Sequence, residues 1–224
     1  MQNKYHMPFN PRGLWHWAYF NNNDSVMSGA LESMQVATKT SRPAFWYETT
    51  GKSDRAGSSD ASAKIWFEQQ RQHVRAIIAQ LPYPQKALGN VLYMPAGDIA
   101  EKDLMQIHNH LYKTCHKKLL ELFPEMKPEK RSHLRAMTYA AICHYWDAVS
   151  PGIDGTKIKS MEPVHKDVAV IMAKHGKNID TRNWSREWRP MWNVIIEEIK
   201  SIDNALLKPL DAHIEEFIEK RETA

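Results

Sequence analysis

Cysteine is nearly missing. Two residues in 224 exclude a disulfide framework and a four-cysteine zinc site. Nine glycines and twelve prolines are too few for a collagen-like or low-complexity chain. No apolar run approaches the roughly eighteen residues of a transmembrane helix. The opening MQNKYHMPFNPRG has no apolar core of a secretory signal. The expectation is a chain of a reducing cytosol without membrane contact. Catalytic signatures are missing too, with no Gly-rich phosphate loop, G-x-S-x-G elbow or H-E-x-x-H pair. Cys115-His116 and Cys143-His144 are adjacent pairs. On a helix their side chains diverge by about 100°, so neither pair converges on one metal. Two buried structural cysteines are expected, with no metal and no cofactor. Glu197-Glu198 and Glu215-Glu216 read as solvated helix surface, so the chain is not expected to be an enzyme.

What is present suffices for a core: 42% hydrophobic residues, 10% of all residues aromatic, beside 25% charged. The net charge is +4, from 30 Lys and Arg against 26 Asp and Glu, but it is unevenly spread. Residues 1–193 carry 26 basic against 18 acidic residues, and residues 194–224 carry 4 against 8. A basic body suits a polyanion, and an acidic end suits a protein partner.

The sequence divides near residue 62. Residues 1–62 read as short helices and a mobile loop. Residues 1–11 form a frayed arm, and Leu14–Phe20 (LWHWAYF) makes a helical turn or two. A helix capped by Asp24 or Ser25 runs to Val36, and a polar loop follows over 38–62 around Phe45-Trp46-Tyr47. Residues 63–224 read as a helical body. Ile65, Trp66, Val74, Ile77, Ile78 and Leu81 recur at helical spacing until Pro82 and Pro84. Gln85–Tyr93 is a short helix. Asp98 caps a long one whose stripe is Leu104, Ile107, Leu111, Leu119 and Leu122. A further long helix spans Glu129–Val149. Pro163 opens a helix that ends at His175-Gly176. Asp180-Thr181 caps another, which Pro190 kinks or restarts. Nothing reads as a strand or a repeat. The fold class is therefore all-α, with roughly seven to nine helices, in one large domain or two small ones.

The segment Glu162–Trp192 is an apolar helix, a Gly-containing turn and a second helix starting in Arg and Asn. That order is helix-turn-helix-like, with the second helix entering a major groove by its N-terminal end. Arg182, Asn183, Ser185, Arg186 and Arg189, with Lys177 in the turn, are the candidate DNA contacts. Arginine bonds guanine bidentately, asparagine bonds adenine, and serine holds phosphate. Trp184, Trp188 and Trp192, at four-residue steps, form a core stripe with Ile195 and Ile199. A second basic set, Lys113, Lys117, Lys118, Lys130, Arg131 and Arg135, surrounds Pro124. Interleaved Glu121, Glu125 and Glu129 dilute it. Read from its residues alone, this set is a solvated face; with the basic stretch Lys52–Arg55 it is a candidate protein-partner surface only through the family resemblance below.

The pattern W-S-R-x-W-R-P-x-W-N-x-I (Trp184–Ile195) and the helix LRAMTYAAICHYWDAVSPG (Leu134–Gly152) resemble the C-terminal segment of phage late-gene antiterminators, the Q proteins of lambdoid phages. The likeness runs from Leu134 onward and not over the N-terminal part. The lambda-type member carries a Cys-rich zinc-binding insert after that helix. Here Gly152–Ser160 has no cysteine, so the chain is similar to the zinc-free branches and no metal role carries over. The resemblance implies a DNA-binding transcription factor of the host bacterial cytoplasm. Such a factor binds double-stranded DNA near a phage late promoter and engages host RNA polymerase with its sigma factor. It then lets the polymerase read through terminators, acting at the exit channel beside the nascent RNA. The alternative is a packaging or assembly adaptor like a small terminase subunit, which also joins a helix-turn-helix to helical oligomerisation.

Overall fold

The structure is a computed structural model that describes residues 7–20, 58–95 and 98–222. Among these, all regular structure is helical. The order is α1 (Pro11–Tyr19), α2 (Ser58–Ala79), α3 (Tyr83–Tyr93), α4 (Glu101–Leu122) and α5 (Pro128–Arg131). It continues through α6 (Leu134–Val149), a 3-10 turn (Ser150–Asp154), α7 (His165–Lys174), α8 (Trp184–Glu187) and α9 (Arg189–Glu222). The expected all-α class holds. No helix among the described residues is long and apolar enough to cross a membrane. The expected helix ending at Val36, the Phe45-Trp46-Tyr47 patch and the Lys52–Arg55 stretch lie outside the described residues.

The 34-residue α9, roughly 50 Å long at 1.5 Å per residue, is the axis against which α1, α3, α4 and α6 pack. Its buried stripe is Ile195, Ile199, Ile202, Leu206, Leu210 and Ile214, spaced by three or four so that one face turns inward. Each such side chain contributes about 1.5–3 kcal/mol on leaving water. α6 is buried on most of its circumference. Alanines 136, 140, 141 and 148 are enclosed, and their small size lets neighbouring helices approach.

One carboxylate lies inside this stripe. Asp203 is fully buried and accepts from Arg12 Nη2 (3.0 Å), Tyr93 Oη (2.5 Å) and Tyr145 Oη (2.8 Å). Arg12 Nε also donates to Tyr93 Oη at 3.1 Å. Burial opposes the charge on Arg12, but Tyr93 and Asp203 outweigh it and hold the guanidinium pKa above its ordinary value. Burial, then the Asp203 charge, keeps both tyrosines protonated far beyond their ordinary range. Four helices thus meet at one satisfied ionic node.

Several expectations need correction. The described part of the N-terminal arm is pinned: Met7 is buried, and Asn10 Oδ1 caps α1 through Gly13 N at 2.6 Å, with Pro11 in the first turn. Asp98 does not cap the long helix, which starts behind Ala100 with Glu101 and Asp103 facing the positive end of its dipole. Leu122 is exposed. Cys115 takes the fourth-residue position between Leu111 and Leu119 instead. The expected Glu129–Val149 helix is broken at Ser132-His133. There Ser132 Oγ (2.7 Å) and His133 Nδ1 (2.8 Å) both take the Glu129 carbonyl, which an unbroken helix would pair with a backbone N–H.

Candidate nucleic-acid interface

α7 anchors the site through Val168 and Met172, both buried, and packs on α6. It ends at Gly176, whose φ of +69° is the left-handed conformation that glycine adopts without penalty. Lys177 N bonds Met172 O at 3.0 Å and Gly176 N bonds Ala173 O at 2.9 Å, the paired bonds of a Schellman ending.

The next helix begins later than the sequence implies. Asp180 Oδ1 accepts from Arg182 N at 2.9 Å, so Asp180 closes a local turn instead of capping a helix. Trp188 Nε1 holds the Asp180 carbonyl at 3.0 Å. α8 is then only four residues long. It stops because Pro190 offers no N–H to the Arg186 carbonyl and its ring would collide there. The expected single reading helix from Asp180 is therefore a turn, a one-turn helix and the start of α9. Likewise α7 starts at His165, two residues beyond Pro163.

The three tryptophans are core, as their spacing implies: Trp184, Trp188 and Trp192 are 3%, 6% and 2% exposed. Trp184 stacks on His165 (4.5 Å between centroids, 21° between planes) and meets Trp192 edge-on at 5.7 Å. His144 abuts Trp192, and His133 lies 5.2 Å from Trp188. This platform ties α8 and the start of α9 to α6 and α7.

On it, Arg182 and Arg186 have side chains 90% and 80% exposed, and Arg189 is half exposed. Asn183 and Ser185 are exposed beside them. Each arginine has an acid nearby: Asp180 at 3.8 Å from Arg182, Glu187 at 3.5 Å from Arg186 and Glu162 at 3.0 Å from Arg189. Lys177 is half-buried, and its Nζ donates to Ser132 Oγ at 3.3 Å.

The second basic set is split. Lys130 Nζ is 3.6 Å from Glu187 Oε2 and 5.8 Å from the Trp188 ring, which places it on the same face as Arg186. His133 Nε2 lies 3.3 Å from Asn178 O, which sets the α5–α6 turn beside the segment before α8. Arg131 Nη2 instead caps the Pro124 carbonyl at 2.9 Å. Arg135 Nη2 donates to Asn109 Oδ1 at 3.0 Å over the Tyr112 ring. Lys118 pairs with Glu198 of α9, and the hydrogen bond to Glu198 raises its pKa. Lys113 and Lys117 are exposed one turn apart on α4. Sequence reasoning missed Glu187, His133 and Glu162, because the partners that bring them to this face, Lys130, Asn178 and Arg189, are distant in sequence and no local pattern marks them.

No family model, curated protein or solved structure matches the chain.

A groove of about 420 Å³ adjoins the face and is lined by Trp184, Ser185, Arg189, Glu162, Glu197 and Lys200 among others. Its charges are mixed, so it has no net preference for an anion. Among the described residues no group of three or more His, Cys, Asp or Glu is placed to hold a metal ion. Cys115 is buried, and burial pushes its thiol up to about 12, which leaves it unreactive. Burial also raises the Cys143 thiol, against a hydrogen bond with Tyr139.

Proposed function

We propose that the chain is a phage late-gene antitermination factor. It binds double-stranded DNA near a late promoter, engages host RNA polymerase with its sigma factor in the bacterial cytoplasm, and carries the elongating enzyme through terminators. The observation that supports this most is the presentation of Arg182, Asn183, Ser185 and Arg186, all exposed, from a backbone fixed by three buried tryptophans. Flexible arginines on a rigid base can bond base edges and phosphates without ordering the chain first. Lys113 and Lys117, lying away from these contacts in sequence, are the candidates for the polymerase surface.

The arginines act from different elements, which sharpens their roles. Arg186, on α8, is the base-reading candidate. Arg189, at the first position of α9 and paired with Glu162, is the phosphate candidate. Replacing Arg186 by Ala should cost about 1–3 kcal/mol on a selected duplex and relax base preference. Arg189→Ala should weaken binding to every sequence alike and lower the salt slope by about one. Footprinting titrations at fixed salt measure both, and two variants with the same effect contradict the assignment. The function itself is tested by transcription from the cognate late promoter through a terminator, where readthrough must rise on adding the protein. Unchanged readthrough together with a ring-shaped oligomer in sedimentation would favour the packaging adaptor.

A further inference from the structure

The candidate face carries an acid at its centre. Glu187 is the last residue of α8, and its two carboxylate oxygens point at different cations. Oε2 lies 3.6 Å from Lys130 Nζ of α5, and Oε1 lies 3.5 Å from Arg186 Nη2. Charge-assisted hydrogen bonds run at about 2.7–2.9 Å, so both ties are longer than directional bonds. They act through the field and open at little cost. The carboxylate itself is well placed. Its helix is held by Trp184 against His165, and Glu187 N is bonded to Asn183 O at 2.9 Å. Both Lys130 and Glu187 are about one-third exposed (32% each), so a ligand can reach the gap between them.

A phosphate entering between Lys130 and Arg186 meets the Glu187 charge. A base edge need not, because a carboxylate accepts from an exocyclic amino group such as cytosine N4. We propose that Glu187 is the selectivity residue of the duplex-binding face. It penalises backbone phosphate wherever no base-edge donor replaces its two cations, and Lys130 is its partner on that face. The inference rests on the DNA-binding reading above and adds Lys130 to the DNA side of the molecule.

The test uses the full chain and two probes. One is a random-sequence duplex about three helical turns long; the other is the duplex that the wild-type chain selects from a random library. Binding is followed by fluorescence anisotropy over a salt series. Glu187→Gln should bind the random duplex about three- to tenfold more tightly and gain less on the selected one, so that their ratio falls. Its salt slope on the random duplex should steepen by about one. Lys130→Ala in the Glu187→Gln background should remove most of the gain. The melting temperature should stay near wild type, since Glu187 makes only surface ties. If Glu187→Gln leaves both affinities unchanged or weakens the random duplex while Arg186→Ala still weakens the selected one, the selectivity role is wrong and the DNA face stands. If neither Glu187→Gln nor Arg186→Ala alters binding to either probe, the face is wrong and the selectivity role falls with it.

Discussion

Asp203 is the residue whose loss should be felt most. A carboxylate removed from water is tolerable only while its partners remain, and here Arg12, Tyr93 and Tyr145 satisfy it. Asp203→Ala leaves a part-buried guanidinium and two buried hydroxyls without their acceptor and should cost about 3–5 kcal/mol. Urea denaturation measures this, and a loss under about 1 kcal/mol would mean that the node contributes no more than a surface pair. Two histidines set a pH dependence. Burial, reinforced by the His73 ring at 4.9 Å, lowers the His213 pKa. Burial likewise lowers that of His108, against a bond to the Arg135 carbonyl. The unfolded chain, with histidine near about 6.5, then binds more protons than the folded one just below that pH. Stability is therefore full above about pH 6.5 and falls as pH drops through the folded values. The double replacement of His108 and His213 by Gln should flatten this decline in thermal melts between neutral and mildly acidic pH. None of this was legible in the sequence. Asp203 sits in an otherwise ordinary helical pattern, and its partners come from three other helices.

Among the elements, helix existence was legible and helix edges were not. Apolar periodicity placed α2, α4 and α9, because a stripe facing a core leaves its period in the chain; α3 was marked by the prolines around it and α6 by its density of Ala, Tyr and Trp. The break at Ser132-His133 left no such period, since it depends on two side chains competing for one carbonyl. The Asp180 cap failed for a similar reason: an aspartate can accept from the N–H two residues on, here that of Arg182, as readily as start a helix. The tryptophan stripe survived even though its helix did not, because Trp184 and Trp188 before Pro190 and Trp192 after it all remain buried. Two glycines test how the elements meet. A Cβ on Gly89 of α3 would lie 2.2 Å from the Trp15 ring, whose side chain is fully buried. A Cβ on Gly176 would meet nothing within 4 Å, but the backbone there is left-handed. Gly89→Ala, in mid-helix where alanine normally helps, should instead cost about 1–3 kcal/mol by overpacking. Gly176→Ala should cost about 1–2 kcal/mol from strain alone. Repacking by Trp15→Phe should recover part of the first loss and none of the second, as calorimetry of the four variants would show.

Across the whole molecule, charge segregation was legible as composition, but its arrangement was not. The two basic sets are separate in sequence, yet Lys130 joins Arg186 through Glu187, while Lys118 is neutralised by Glu198 of the acidic C-terminal helix. The acidic end is thus partly spent on the protein itself. The node at Asp203 joins residues 191 positions apart in the chain, so breaking it uncouples α1 from α9. Unfolding should be a single transition, with tryptophan fluorescence and far-ultraviolet circular dichroism superimposing in urea. The same long-range closure also bears on synthesis. A ribosome adds about 5–20 residues per second, so α1 emerges many seconds before α9 exists to receive it. During that interval Trp15 and Leu14 have no completed site, and the side of α6 that faces α9 waits uncovered. With this wiring, yield in a cell should depend on the supply of chaperones that hold nascent polypeptides as well as on the stability of the finished fold, which co-expression of such chaperones would measure.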